Sequence, residues 1–256
     1  MTEKSGKIWL IGGTGDSVNI ASAIASHQFS CIVTVTTLTA QNLYPIIPQI
    51  TVKVGKLEAA EIKQLCYQES IQGIIDASHP FAVNISQKVL EFSQQESIPY
   101  LRYERPSLNP NPNIIELESF EALIKGNYLL NKRVLLTIGC QALHLFKQWH
   151  DQAVLSARIL PKIDSLDMAL KAGFSNDRLI ALRPPITLEL ERALWQQWDI
   201  NLVVTKASGK QGGEDIKARV AEELGIPLIV IKRPKLNYPQ QTEQLSDIIE
   251  FCYQYC

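Results

Sequence analysis

The sequence predicts the α/β class, because short apolar runs rich in Val and Ile alternate with longer segments of helical period. The first run breaks directly into glycines at Gly12, as a strand does before a phosphate-binding turn. Residues 105–113, dense in Pro and Asn, interrupt the alternation. We therefore expect two Rossmann-like lobes with parallel sheets, residues 1–108 and 109–256, and a ligand cleft between them.

The individual strands follow from the apolar runs, and helices are expected in the gaps between them. The predicted strands span residues 8–11, 31–36, 51–54, 73–76, 99–102, 133–138, 153–159, 178–182, 202–205 and 228–231. A chain of 256 residues is long enough for two such cores, because single cores stop growing near ~250 residues.

Net charge and cysteine content indicate which partners and which cellular compartment the sequence favours. The formal net charge of -1 gives no basic field that would attract nucleic acid or an anionic membrane, so an anion site must be local. The five cysteines form no C-x-x-C pair, and no apolar run reaches the ~18 residues of a membrane helix. These features predict a cytoplasmic protein without a metal site.

The loop from Gly12 to Asp16 has the composition of a nucleotide-binding turn. Glycines let the backbone approach a pyrophosphate, and the N–H groups of the following helix point toward it. The spacing departs from the full G-x-G-x-x-G pattern, because Ser17 and Ala21 are the next small residues. A plain tight turn between a strand and its helix remains the alternative.

Two further loops carry polar residues at predicted strand ends. His79 follows the strand that ends at Asp76, where it could donate a proton or brace the loop. Arg102 and Arg105 follow the next strand, and paired guanidinium groups suit carboxylate or phosphate. A salt-bridged hinge through Glu104 is the alternative for the arginines.

A second glycine-rich turn follows the strand at residues 202–205. It contains Lys206, Ser208 and several glycines, and Lys217 lies one helical turn beyond. The order of a Walker P-loop is absent, but a phosphate or carboxylate cradle is expected.

The sequence shows no nucleophile with a catalytic partner and no carboxylate pair. Chemistry carried by a bound cofactor, such as hydride transfer, fits this pattern. A nucleotide-sensing binding protein without catalysis and a transferase that uses an adenosyl cofactor are the alternatives.

Six short motifs occur in order along nearly the whole chain. They are GGTGD from Gly12, DASHPFA from Asp76, LRYERP from Leu101, LLTIG from Leu135, ARILP from Ala157 and VVTKASG from Val203. Together they resemble the precorrin-6A reductase family of the cobalamin pathway, including its cobalt-precorrin-6A members.

The resemblance implies an oxidoreductase that binds NADPH between two lobes and reduces a ring double bond of a tetrapyrrole (corrinoid) substrate, precorrin-6A or cobalt-precorrin-6A, to the 6B form. It also suggests that strands are exchanged between the lobes. The implied cofactor contacts are Gly12, Gly13, Thr14, Gly15, Thr36, Thr37, Ser78 and Gly139. The implied substrate contacts are Arg102, Arg105, Lys206, Ser208 and Lys217. Binding of some of the basic ones to the cofactor phosphates is the alternative. For the proton donor, His79, Asp16 and solvent stay open.

The preference for NADPH over NADH is expected to be modest. No acidic residue stands at 34–37, where NAD-selective sites place one, and threonine hydroxyls are available for a 2′-phosphate. Val18 occupies a position where relatives commonly carry Arg, which removes one phosphate contact. A basic side chain from the other lobe is expected to assist.

Overall fold

A computed structural model describes residues 6–108 and 114–256, and these divide into two compact units. Unit 1 contains the described residues up to Pro106 together with Lys235–Cys256. Unit 2 contains those from Ser107 to Pro234. Residues 109–113, part of the predicted linker, lie outside the described residues.

Unit 1 is built on a six-stranded sheet in the order β12-β5-β4-β1-β2-β3, with every neighbouring pair parallel. Its strands are β1 (Lys7–Ile11), β2 (Cys31–Val35), β3 (Ile50–Val54), β4 (Ile71–Asp76), β5 (Tyr100–Tyr103) and β12 (Gln241–Thr242). Its helices are α1 (Gly15–Ser26), α2 (Leu38–Gln41), α3 (Ala59–Gln68), α4 (Val83–Gln95) and α9 (Leu245–Tyr255).

The core of unit 1 lies on both faces of this sheet, because side chains alternate along each strand. Ile8 and Leu10 of β1 pack with α1 and α9 in one cluster. Trp9 and Ile11 pack with α3 and α4 in the other. The crossover helices therefore cover both faces, and the loops at the carboxyl ends of the strands are left to bind ligands.

Unit 2 repeats this design with a parallel sheet in the order β6-β11-β10-β7-β8-β9. Its strands are β6 (Ile114–Leu117), β7 (Arg133–Leu136), β8 (Val154–Ile159), β9 (Leu179–Ala181), β10 (Leu202–Lys206) and β11 (Leu228–Ile231). Its helices are α5 (Phe120–Lys125), α6 (Ile163–Lys171), α7 (Leu188–Gln197) and α8 (Glu214–Leu224), with 3-10 segments at Cys140–Trp149, Asn176–Arg178 and Lys210–Gly212.

The C-terminal segment differs from the linear division at residue 108. Residues Lys235–Cys256 belong to unit 1, because β12 pairs with β5 and α9 packs on that unit's sheet. Ile248, Phe251 and Cys252 of α9 lie in the same core cluster as Ile8. The apolar face of α9 thus completes unit 1 instead of extending unit 2.

Among the described residues, no helix combines the length and the apolar character needed to cross a membrane.

Candidate active site

The glycine loop of unit 1 connects β1 to α1 at the switch point of the sheet, where β1 lies between β4 and β2. A Cβ built on Gly12 would lie 2.3 Å from Tyr44 Oη and 2.9 Å from Val33 Cγ1, so glycine is required there by space. Gly13 has a φ of +100°, which favours glycine by conformation. No described atom lies within 4 Å of the Cβ position of Gly13, so the loop backbone is open to a ligand.

The start of α1 supplies backbone donors beside this loop. Thr14 is the N-cap residue, and its hydroxyl accepts a hydrogen bond from Ser17 N–H. Within the described part of the chain, the N–H groups of Gly15 and Asp16 have no acceptor. These two donors and the helix dipole favour an anion at this end of α1.

Tyr44 braces the glycine loop, a role that the sequence did not indicate. Its hydroxyl accepts a hydrogen bond from Gly13 N–H at 2.9 Å and lies 2.7 Å from Ser17 Oγ. Burial raises the pKa of Tyr44, so the hydroxyl stays protonated at neutral pH. No motif marks this residue, because it comes after α2 and reaches the loop only in the folded unit.

Behind the loop that follows β4 lies a buried ion pair. Asp76 and Arg102 are register partners on β4 and β5, and Arg102 Nη1 lies 3.0 Å from Asp76 Oδ1. The Tyr100 hydroxyl donates a hydrogen bond to Asp76 Oδ2 at 2.6 Å. Burial raises the pKa of Asp76, but the charge of Arg102 and the hydrogen bonds outweigh it and hold the pKa below its ordinary value.

The predicted ligand contacts Arg102 and Ser78 both belong to this network. Arg102 Nη1 donates to Ser78 Oγ at 3.1 Å, and its Nε and Nη2 donate to Glu104. The side chain of Arg102 is only 1% exposed, and Ser78 is also buried. A substrate carboxylate would have to compete with these partners, so the geometry favours a positioning role for Arg102.

His79 lies half-buried in the same loop. Its Nδ1 accepts a hydrogen bond from Phe81 N–H at 3.2 Å. In the neutral ring the proton is therefore on Nε2, which makes Nε2 a hydrogen-bond donor. The loop is tied to the glycine loop, because the Thr14 hydroxyl donates to the carbonyl of Ala77 at 3.2 Å.

Asp16 and Arg105, predicted for different roles, are brought together. Arg105 Nε lies 2.6 Å from Asp16 Oδ2, and both side chains are about nine-tenths buried. This pair neutralises the carboxylate beside the N-terminus of α1. A proton-donating role for Asp16 would require the ion pair to break.

Thr36 and Thr37 lie directly after β2. Thr36 is exposed, whereas Thr37 is half-buried and its hydroxyl accepts a hydrogen bond from Ala40 N–H at 3.2 Å. Each hydroxyl retains a proton that it can donate.

Unit 2 holds the other predicted site residues, at the carboxyl ends of β7 and β10. Lys206 ends β10 and is half-buried, and burial lowers its pKa. Ser208 is buried in the following turn. Gly139, with a φ of +76°, follows β7.

Lys217 lies in the interior of unit 2. It is 3% exposed, and its Nζ donates to the carbonyls of Gly212 and Gly213 at 2.8 and 2.9 Å. The carboxylate of Glu214 accepts a hydrogen bond from Gly209 N–H at 2.7 Å. Lys217 and Glu214 thus hold the two ends of the turn in place, and the sequence did not indicate this role for Glu214.

Comparisons with a family model and with individual known proteins point to the same family. The sequence model of the precorrin-6x reductase CbiJ/CobK family matches residues 7–253. A cobalt-precorrin-6A reductase of Synechocystis sp. is 48% identical over 255 residues, which cover 98% of each chain. A cobalt-precorrin-6A reductase of Priestia megaterium is 31% identical and covers 94% of this chain and 96% of its own.

A solved structure supports the fold. The chain superposes on CobK precorrin-6A reductase with a TM-score of 0.78 and 21% identity, over 97% of this chain and 96% of that one. The two six-stranded parallel sheets are thus a known arrangement. Because the family model and both relatives span almost the whole chain, we conclude that it belongs to the precorrin-6x reductase family.

Proposed function

We propose that this protein reduces a ring double bond of cobalt-precorrin-6A to the 6B form in cobalamin biosynthesis, with NADPH as the reductant. The relatives from Synechocystis sp. and Priestia megaterium are both named for the cobalt-containing substrate, which favours it over precorrin-6A. The observation that carries the cofactor assignment is the open glycine loop beside the N–H groups of Gly15 and Asp16, which find no acceptor among the described residues.

The residues around this loop fit a dinucleotide. NADPH supplies a hydride when it is bound. The N–H groups of Gly15 and Asp16 would bind its pyrophosphate, because Gly12 and Gly13 let the backbone approach closely. The ion pair with Arg105 supports this by removing the repulsion that the Asp16 carboxylate would otherwise exert.

His79 is proposed to donate the proton that goes to the carbon next to the reduced one. The hydrogen bond from Phe81 N–H to Nδ1 orients the ring and places the transferable proton on Nε2. Asp16 is less suited, since its carboxylate is held by Arg105.

Basic residues are proposed to bind the carboxylate arms of the substrate. Lys206 ends β10, Arg105 lies two residues beyond the end of β5, and Ser208 is a hydroxyl donor in the turn after Lys206. Lys217 and Arg102 support their loops from the interior, so we propose that they position these contacts. Gly139, Thr36 and Thr37 are proposed as further cofactor contacts.

Turnover of the purified protein tests this proposal. With cobalt-precorrin-6A and NADPH we expect NADPH absorbance to fall, and mass spectrometry to find a product with two additional hydrogen atoms. Samples that lack substrate or enzyme are the controls. Absence of product with both NADPH and NADH would refute the reductase assignment, and an adenosyl compound retained through gentle purification would favour a transferase.

A further inference from the structure

The end of β3 lies beside the end of β2 in unit 1. Val35 is paired with Val54 in the parallel register, and Gly55 N–H donates to the carbonyl of Val35 at 2.9 Å. Thr36 and Thr37 thus follow the end of β2, and the residues after Gly55 follow the end of β3, at the same edge of the sheet. Lys56 is the first charged residue on this stretch.

Lys56 offers a positive charge that its own unit does not neutralise. Its side chain is exposed, and within the described ranges it forms no ion pair or hydrogen bond. By contrast, Lys53 lies 2.6 Å from Glu69, and Glu58 is paired with Lys88. No described atom lies within 4 Å of the Cβ position of Gly55, so the backbone beside Lys56 is uncrowded.

We propose that Lys56 binds the 2′-phosphate of NADPH and sets the preference for NADPH over NADH. This inference rests on the proposed cofactor. In doubly wound sheets the ribose 2′ position is recognised just after the second strand, where a nearby basic residue accommodates a 2′-phosphate. The hydroxyls of Thr36 and Thr37 are neutral, whereas the phosphate carries about two negative charges. The cation at the end of the adjacent strand offsets part of that charge from within unit 1.

Measurements of equilibrium dissociation constants test the binding of the 2′-phosphate by Lys56 separately from catalysis. The probes are 2′,5′-ADP and NADPH, which carry the 2′-phosphate, and 5′-AMP and NADH, which do not. For Lys56→Gln we expect the Kd of the phosphorylated pair to rise roughly five- to tenfold. The Kd values of 5′-AMP and NADH should stay unchanged, which also shows that the variant retains a folded site. Lys56→Arg should keep the wild-type values.

Lys63→Gln is the matched control, since Lys63 is an exposed lysine on α3 that pairs with Glu96 at 3.4 Å. Two negative outcomes can be told apart. If wild type binds NADPH no more tightly than NADH, the proposed cofactor preference fails. If wild type prefers NADPH and Lys56→Gln keeps the same ratio of Kd values, only the role of Lys56 is overturned.

Discussion

Arg102 and Asp76 lie opposite each other on adjacent strands and form an ion pair in which the side chains are 1% and 0% exposed. Burying such a pair costs desolvation free energy. Removing one partner destabilises the fold strongly, because it leaves an unpaired charge in the interior. The Tyr100 hydroxyl and the Ser78 N–H also donate hydrogen bonds to the Asp76 carboxylate. The pair therefore fixes the base of the loop that carries His79.

We expect Arg102→Met to lower the free energy of unfolding by about 3–5 kcal/mol, because Asp76 loses its counter-charge. Urea unfolding followed by circular dichroism measures this. Arg178→Met, which removes a half-buried partner of the exposed Asp177, should change stability by less than about 0.5 kcal/mol. Wild-type stability of Arg102→Met with a raised KM would instead make Arg102 a substrate contact.

Gly12→Ala should weaken binding of NADPH, because the new methyl group would lie 2.3 Å from Tyr44 Oη and displace the loop. Tyr44→Phe removes that hydroxyl, so the double variant should lose less affinity than the sum of the two single losses. Fluorescence titration of the four proteins provides the double-mutant cycle. Strict additivity would show that Tyr44 does not restrict residue 12.

His79→Ala should lower kcat by about a hundredfold or more while the Kd of NADPH stays near wild type, as expected for the loss of a proton donor. Steady-state kinetics and nucleotide titration together test this. His144→Ala is the control, since His144 is an exposed histidine that contacts the carbonyl of Gln141. Unchanged kcat in His79→Ala would leave solvent or Asp16 as the donor.

Lys217 should make stability depend on pH. Burial lowers the pKa of Lys217 from its ordinary value of 10.5 to about 8, with the charge of Arg158 adding to the effect. Between these two values the unfolded chain binds more protons than the folded one, so rising pH favours folding. Below about 8 both states are protonated, and this dependence disappears.

Compared with Lys217→Met, the wild type should therefore gain about 1 kcal/mol of stability per pH unit above pH 8. Urea unfolding of both proteins at several pH values gives the difference. Taking the difference removes the opposite contribution of buried thiols such as Cys66, whose pKa burial raises to about 12. A constant difference across this range would show that Lys217 is not buried as described.

The periodic strands of both units could be predicted from the sequence, since every apolar run proposed as a strand forms one. The runs at residues 73–76 and 133–138, for example, become β4 and β7 with small shifts at their ends. The edge strands β6 and β12 were missed. β12 contains two residues, too few to show an alternation of apolar and polar side chains, and it is a strand only through its pairing with β5.

Parts of the candidate site could not be predicted from the sequence, because they depend on contacts between loops that are far apart along the chain. The glycine loop was recognisable from composition, whereas Tyr44 and Lys56 reach their places through the register of β2 with β3. The pairing of Asp16 with Arg105 joins residues 89 positions apart. Chain order alone does not show that the two residues are close together, so the sequence predicts separate roles for them.

Unit 1 is discontinuous along the chain, and this has a consequence for folding during synthesis. Helix α9, with Phe251 in the core, leaves the ribosome only after all of unit 2. Until then, the face of the sheet that α9 covers stays exposed to water. Unit 2 is continuous, so we expect it to reach its native state before unit 1 does.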